Sequence, residues 1–226
     1  REPVAGRISG ILDFRNLWPL IDAIKLVWYS GELTNEELGA IKTWFNAFLG
    51  DVTSRGAACQ LNNIGSWCDL ITASISAFIG NSDRAARTLS AAPLRLAAQL
   101  SAFSAPQLEL RRAKPLHYCL FHLQAWICLA WLGRSLGIDL WKYNASLHRS
   151  IAMEARFIAL NRYCFSDYGA EAKEYDERIA AAARCIPEDA ADYDKIAALD
   201  LQKSPSIMDN PDYGMPPFWP ALRVSG

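Results

Sequence analysis

Apolar residues in this chain recur at the three- and four-residue spacing of helices, and the strict alternation of a half-buried strand is nearly absent. A chain patterned this way buries its apolar surface by packing helix against helix. The spacing predicts a first helix over 17–29, with Trp18, Ile21, Ile24 and Trp28 inward and Gly31 ending it. Thr34-Asn35-Glu36-Glu37 reads as a capping box for a second helix carrying Leu38, Ile41, Phe45 and Phe48. A loop over 51–61 leads to a third helix over 64–79, apolar on most sides. Ser82 is expected to cap a fourth over 83–101, which Pro93 should kink or split.

Beyond an irregular stretch, Pro115 suits the first turn of a long fifth helix over 116–136, stopped by Gly137. A sixth helix over 147–163, an amphipathic seventh over 170–185 and a possible last one over 189–201 complete the set. Paired one–two, three–four and five–six, with seven–eight a further pair, these segments predict an all-α fold of antiparallel helical hairpins. A ring of such hairpins is an (α/α) toroid, complete or incomplete, and a plain bundle is the competing architecture. The expected organisation is a toroid domain over 1–202 and an extended tail over 203–226, which holds Pro205, Pro211, Pro216, Pro217 and Pro220.

Composition narrows the function classes. With 51% hydrophobic and 21% charged residues, the 226-residue chain has the make-up of a folded protein and is long enough for a sizeable core. A formal net charge of −1 gives no global field for polyanions, so any anion site is a local cluster; with no basic stripe, nucleic acid is not an expected partner. No apolar run reaches the roughly 18–20 residues of a membrane span. The longest, 116–132, is interrupted by His117, His122 and Gln124, so no membrane association is expected. Arg1-Glu2-Pro3 looks like an interior start. The six cysteines form no CxxC pair, and Cys119, Cys128 and Cys164 sit in apolar helical contexts that suit small buried side chains. The sequon Asn144-Ala145-Ser146 is consistent with secretion.

The segment that says most about chemistry is Asn62-Asn63-Ile64-Gly65-Ser66-Trp67, at the start of the third helix. Side-chain amides beside free backbone N–H groups and the positive end of a helix dipole suit an anion such as a carboxylate. Residues 108–118 form a cationic stretch, with Arg111, Arg112 and Lys114, running into the pair His117-Tyr118. Carboxylate neutralisation plus a phenol is what β-elimination on a uronic acid needs. Each residue also has a plainer reading. Asn62 and Asn63 could cap the helix, Tyr118 could be a rim phenol, and His117 or His122 a hydrogen-bonded structural histidine. The cations could be a solvated loop, and Trp67 is either a sugar-stacking platform or core. Neither a metal-ligand pair, a Gly-rich phosphate loop nor a nucleophile elbow is present, so no metal and no cofactor are expected.

Three stretches in order carry a resemblance: Asn62-Asn63-x-Gly65-Ser66-Trp67-x-Asp69, then Leu108-Glu109-Leu110…Leu116-His117-Tyr118…Leu120-Phe121, then Gly137-Ile138-Asp139-Leu140-Trp141. The chain resembles the alginate lyase superfamily of polysaccharide lyases over roughly 10–163. That resemblance implies an incomplete (α/α) toroid, usually longer at its N-terminal side, so a hairpin or more would be missing. The chain could be a fragment or subunit of a processed protein whose missing hairpins complete the groove, with a partner chain or self-association as a further expectation. It also implies elimination at a (1→4)-linked uronate of an anionic polysaccharide or oligosaccharide. On this resemblance Asn63 neutralises the carboxylate, Tyr118 transfers protons, and Arg111 or Arg112 holds the anion. Asn62, Trp67, Lys114 and His117 would contact the substrate. The family commonly has His directly after the Asn pair, where this chain has Ile64. Three readings follow: Tyr118 makes both proton transfers, His122 one helical turn away substitutes as base, or the site binds carbohydrate without catalysis, as a lectin does.

Overall fold

A computed structural model describes residues 8–54, 56–141 and 150–187. Seven α-helices are found among them: α1 Leu17–Tyr29, α2 Asn35–Ser54, α3 Asn63–Ile79, α4 Ser82–Gln99, α5 Pro115–Ser135, α6 Ile151–Asn161 and α7 Ala172–Cys185. Short 3₁₀ turns cover Ile8–Phe14, Ala57–Cys59, Arg162–Cys164 and Gly169–Glu171. The described residues contain no strand beyond one isolated bridge between Leu100 and Pro106. The chain divides into two compact units, Arg1–Ala92 and Pro93–Gly226.

Local signals set most helix ends in the first unit. Gly31 takes the left-handed φ of 84° that closes the turn after α1. The capping box forms as expected: the Thr34 amide donates to Glu37 Oε2 at 2.9 Å and the Glu37 amide to Thr34 Oγ1 at 3.2 Å. Helix α2 runs through 51–54, where a loop was expected. Helix α3 is capped by Asn62, whose side chain accepts the Ile64 amide at 3.0 Å. At the start of α4 the cap is Asn81, accepting the Arg84 amide at 3.1 Å, not Ser82. The helix is unbroken through Pro93, so the expected split does not occur. Helix α3 packs on α1 and α2. Its Cys68, Ile71, Ile75 and Phe78 meet Phe45, Leu49 and Ile21, with the Phe45 and Phe78 rings edge to face at 5.4 Å.

In the second unit α5 is buried almost all round between α6 and α7. Leu116, Leu123, Trp126 and Ile127 of α5, Ile158 of α6 and Tyr175 of α7 have no more than about one per cent of their surface exposed. The Trp131 indole donates to the Cys185 carbonyl at 2.7 Å, tying α5 to the end of α7. Gly133 is required by close approach: a Cβ there would lie 2.6 Å from the Ile138 carbonyl oxygen. Helix α6 starts at Ile151 on the Ser150 cap, later than expected, and α7 at Ala172. All six cysteines are free thiols, and Cys164, expected to be buried, is exposed. The sequon at Asn144, the possible helix over 189–201 and the tail over 203–226 lie outside the described residues.

Candidate functional site

The first unit holds the Asn-Asn segment. Asn62 spends its side-chain oxygen on the α3 amide of Ile64, which is the capping role and not a free anion contact. Asn63, in the first turn, is 1% exposed. Ile64 is half-buried and packs against the hydrophobic core of this unit. Trp67 is also 1% exposed. Its faces lie against protein, so the expected stacking platform gives way to a core indole: one turn into a helix buried on nearly every side, a large aromatic goes inward.

The second unit holds the Tyr118 segment at the start of α5. Pro115 is the first helical residue, and the orphan amides behind it are satisfied from far along the chain. Asp167 accepts the Leu116 amide through Oδ1 at 3.0 Å and the His117 amide through Oδ2 at 3.1 Å. The Tyr175 hydroxyl of α7 donates to the same Oδ2 at 3.1 Å. Those two amides therefore already hold an internal carboxylate. Burial, then hydrogen bonding to Glu171, pushes the Tyr175 phenol well above the usual tyrosine range.

Around Tyr118 the structure separates the candidate cations. The Arg112 guanidinium carbon lies 3.9 Å from the centre of the half-buried Tyr118 ring, so Arg112, not Arg111, is the arginine against the phenol. Arg111 is exposed. Lys114 forms a 2.8 Å ion pair with Glu171, which turns its charge to a protein carboxylate; that bond, followed by one to Tyr175, lowers the Glu171 pKa. The His117 ring stands edge to face with Tyr118 at 5.1 Å and stacks on Phe121 at 6.2 Å. Its Nδ1 is 3.5 Å from Arg178 Nη1. Burial first, then the positive charges of Arg178 and Lys114, lowers the His117 pKa from its ordinary 6.5.

His122 is not available as a replacement base. It is fully buried, with Nδ1 2.7 Å from Glu154 Oε1 and Nε2 2.9 Å from Gln99 Oε1. Tyr118, one turn earlier on the same face, is half-buried, and α5 is enclosed by the time it reaches His122. Glu154 is kept protonatable above the usual carboxylate range by burial, against the opposing pull of His122.

The structure thus groups Arg112, His117 and Tyr118, sends Lys114 to Glu171, and places Asn62, Trp67 and His122 in structural roles. Sequence reading missed Asp167, Glu171 and Arg178. No local motif marks them, because each meets its partner more than fifty residues away in sequence. Among the described residues no group of three His, Cys, Asp or Glu side chains is arranged to hold a metal ion.

Comparisons bear out the resemblance and the fold class. The family model described as alginate lyase matches residues 1–162. The crystal structure of an alginate lyase from Bacteroides ovatus superposes with a TM-score of 0.79 at 23% sequence identity, over 88% of this chain and 56% of that one. The two share an all-α fold of helical hairpins of the (α/α) toroid class. This chain spans little more than half the length of that enzyme. No curated protein matches.

Proposed function

We propose, from the premise that this chain belongs to the alginate lyase family, that it is a polysaccharide lyase acting on uronate-containing glycans by β-elimination. The observation that supports this most is the pairing of Arg112 with Tyr118: a half-buried phenol with a guanidinium 3.9 Å from its ring centre. In the reaction, ionised Tyr118 takes the proton from C5 of the uronate. The electron pair left behind is delocalised into the carboxylate and then forms the C4–C5 double bond as the C4–O glycosidic bond breaks. Tyr118 returns the proton to the leaving oxygen, so one residue serves as base and acid when proton and leaving group share a face of the sugar. Arg112 lies against the ring that carries the negative charge and is in reach of an anionic glycan from solvent. The resemblance assigns carboxylate neutralisation to Asn63, which is 1% exposed in the first unit.

Incubating the protein with alginate, glucuronan and related polyuronates, at neutral and mildly alkaline pH, tests the reading. The expected result is rising absorbance from the unsaturated product, lost in Tyr118→Phe and strongly reduced in Asn63→Ala. No signal on any polymer at either pH would overturn it. Two observations favour a second reading, a carbohydrate-binding protein without turnover: Ile64 where the family commonly has His, and the burial of Asn63. Glycan binding with no product, unchanged by Tyr118→Phe, would select that alternative.

A further inference from the structure

One buried polar cluster in the second unit takes no part in the proposed chemistry. His122 and Glu154 are each 0% exposed and Gln99 is 3% exposed. Three atoms form a tight triangle: the Trp126 indole nitrogen is 3.1 Å from Gln99 Oε1 and 3.2 Å from His122 Nε2, and that Nε2 is 2.9 Å from the same Oε1. The indole can only donate. Were Nε2 unprotonated, its single in-plane lone pair would face either the lone pairs of Oε1 or, with the amide turned round, two competing donors. With Nε2 protonated, both N–H groups donate to Oε1, whose two lone pairs accept them, and every member is satisfied. The triangle therefore sets the tautomer.

Nδ1 then faces Glu154 Oε1 at 2.7 Å, a separation that requires one proton between them. Whichever atom holds that proton, the His122–Glu154 pair carries no net charge. A bare carboxylate would be disfavoured here, since Glu154 Oε2 is buried without a hydrogen-bond partner among the described residues. The other titratable groups whose charge reaches the pair are Glu109, itself buried, and the thiol of Cys119, raised by burial and by Glu154. Glu109 acts in the same direction as burial, raising the Glu154 pKa.

We propose that His122 and Glu154 share one proton as a neutral buried pair, clamped by Gln99 and Trp126, and that this pair is the positioning element that fixes the rotation of α5. The cluster joins the end of α4, the middle of α5 and the first turn of α6. Tyr118 leaves α5 one turn before His122, so a rotation of the helix about its axis would swing the phenol away from Arg112. The positioning half rests on the role proposed above for Tyr118; the proton count does not.

Nitrogen-resolved NMR of the three histidines in the full chain, assigned with His122→Gln, tests the proton count. The expected result at neutral pH is a protonated Nε2 on His122 with a second proton in the Nδ1–Glu154 bond. An unprotonated Nε2 would overturn it. For the positioning half, Glu154→Gln keeps a donor to Nδ1 and should leave the Tyr118 ring resonances unchanged, whereas Glu154→Leu and Gln99→Met should shift them. Unmoved Tyr118 resonances in a folded Glu154→Leu or Gln99→Met variant would reduce the cluster to a structural one. If both fail to fold, Glu154→Gln decides: unmoved Tyr118 resonances support a neutral, hydrogen-bonded pair as the positioning element, and shifted ones overturn it. Where the wild type turns over polyuronate, kcat in the folded variants should fall about tenfold with KM little changed. A wild type with no lyase activity defeats the functional reading but leaves the NMR result standing.

Discussion

At the scale of single residues, the two adjacent arginines make a controlled comparison. Sequence alone leaves Arg111 and Arg112 equivalent, since each precedes Tyr118 in the same cationic stretch. Both are exposed, and the structure separates them by contact: Arg112 lies over the Tyr118 ring. Arg112→Ala is therefore expected to lower kcat/KM on polyuronate by roughly tenfold or more, about 1.4 kcal/mol of transition-state stabilisation, with Arg111→Ala within about twofold of wild type. Arg112→Lys should not restore the loss, because an ammonium lacks the planar face that lies over the ring. Steady-state kinetics on the three variants check this, and equal effects at the two positions would refute it. Trp67 shows the opposite limit of reading residues. An indole near a helix start fits a sugar platform or a core equally well, and only its near-complete burial decides for the core.

At the scale of elements, the start of α5 depends on a carboxylate from another part of the second unit. Asp167 accepts two orphan amides and the Tyr175 hydroxyl, so Asp167→Ala removes a charged cap and a link to α7 together. Loss of stability of about 2 kcal/mol is expected, since helix caps contribute ~1 kcal/mol and hydrogen bonds to charged groups somewhat more. In a chain of this length that corresponds to a Tm lower by roughly 4–8 °C in a thermal melt. Asp167→Asn, which keeps an acceptor, should recover about half; a melt unchanged in the alanine variant would show that water caps α5 as well. The contrast explains how far the fold was legible. The Thr34 box, Pro115 and Gly137 act within a few residues, so sequence placed the ends they govern. Tyr118 was legible because a motif marks it. Asp167 acts across fifty-one residues, and no local pattern encodes a bond that exists only after α7 has docked. The early end predicted for α2 failed for a different reason: Asp51, Val52 and Thr53 are weak helix formers, but a helix already propagating gains a hydrogen bond for each further residue it fixes.

At the scale of the whole molecule, the pH dependence of stability reports His117. Its pKa in the fold is lowered, by burial first and then by Arg178 and Lys114, while in the unfolded chain it returns to 6.5. Between those two values the unfolded state binds more protons than the folded one, so stability rises with pH there. As pH falls through about 6.5, stability is lost, and the loss levels off below the folded-state value. Asp22 and Glu154, whose pKa values are raised by burial, have the opposite sign: the fold binds their protons more readily, and their contribution is lost as pH rises through their folded-state values. The wild-type curve mixes both, so the informative quantity is a difference. His117→Asn keeps a polar side chain without a titrating ring. Denaturant midpoints of wild type and variant, compared near pH 7.5 and again near pH 5.5, should show a smaller drop on acidification in the variant. Arg178→Ala should shrink the drop as well, because removing the neighbouring cation moves the folded-state value of His117 back toward 6.5. Equal acid sensitivity in all three proteins would mean that His117 is solvated in the fold much as it is in the unfolded chain. The packing of α7 against the start of α5 would then be looser than the Asp167 and Tyr175 bonds require.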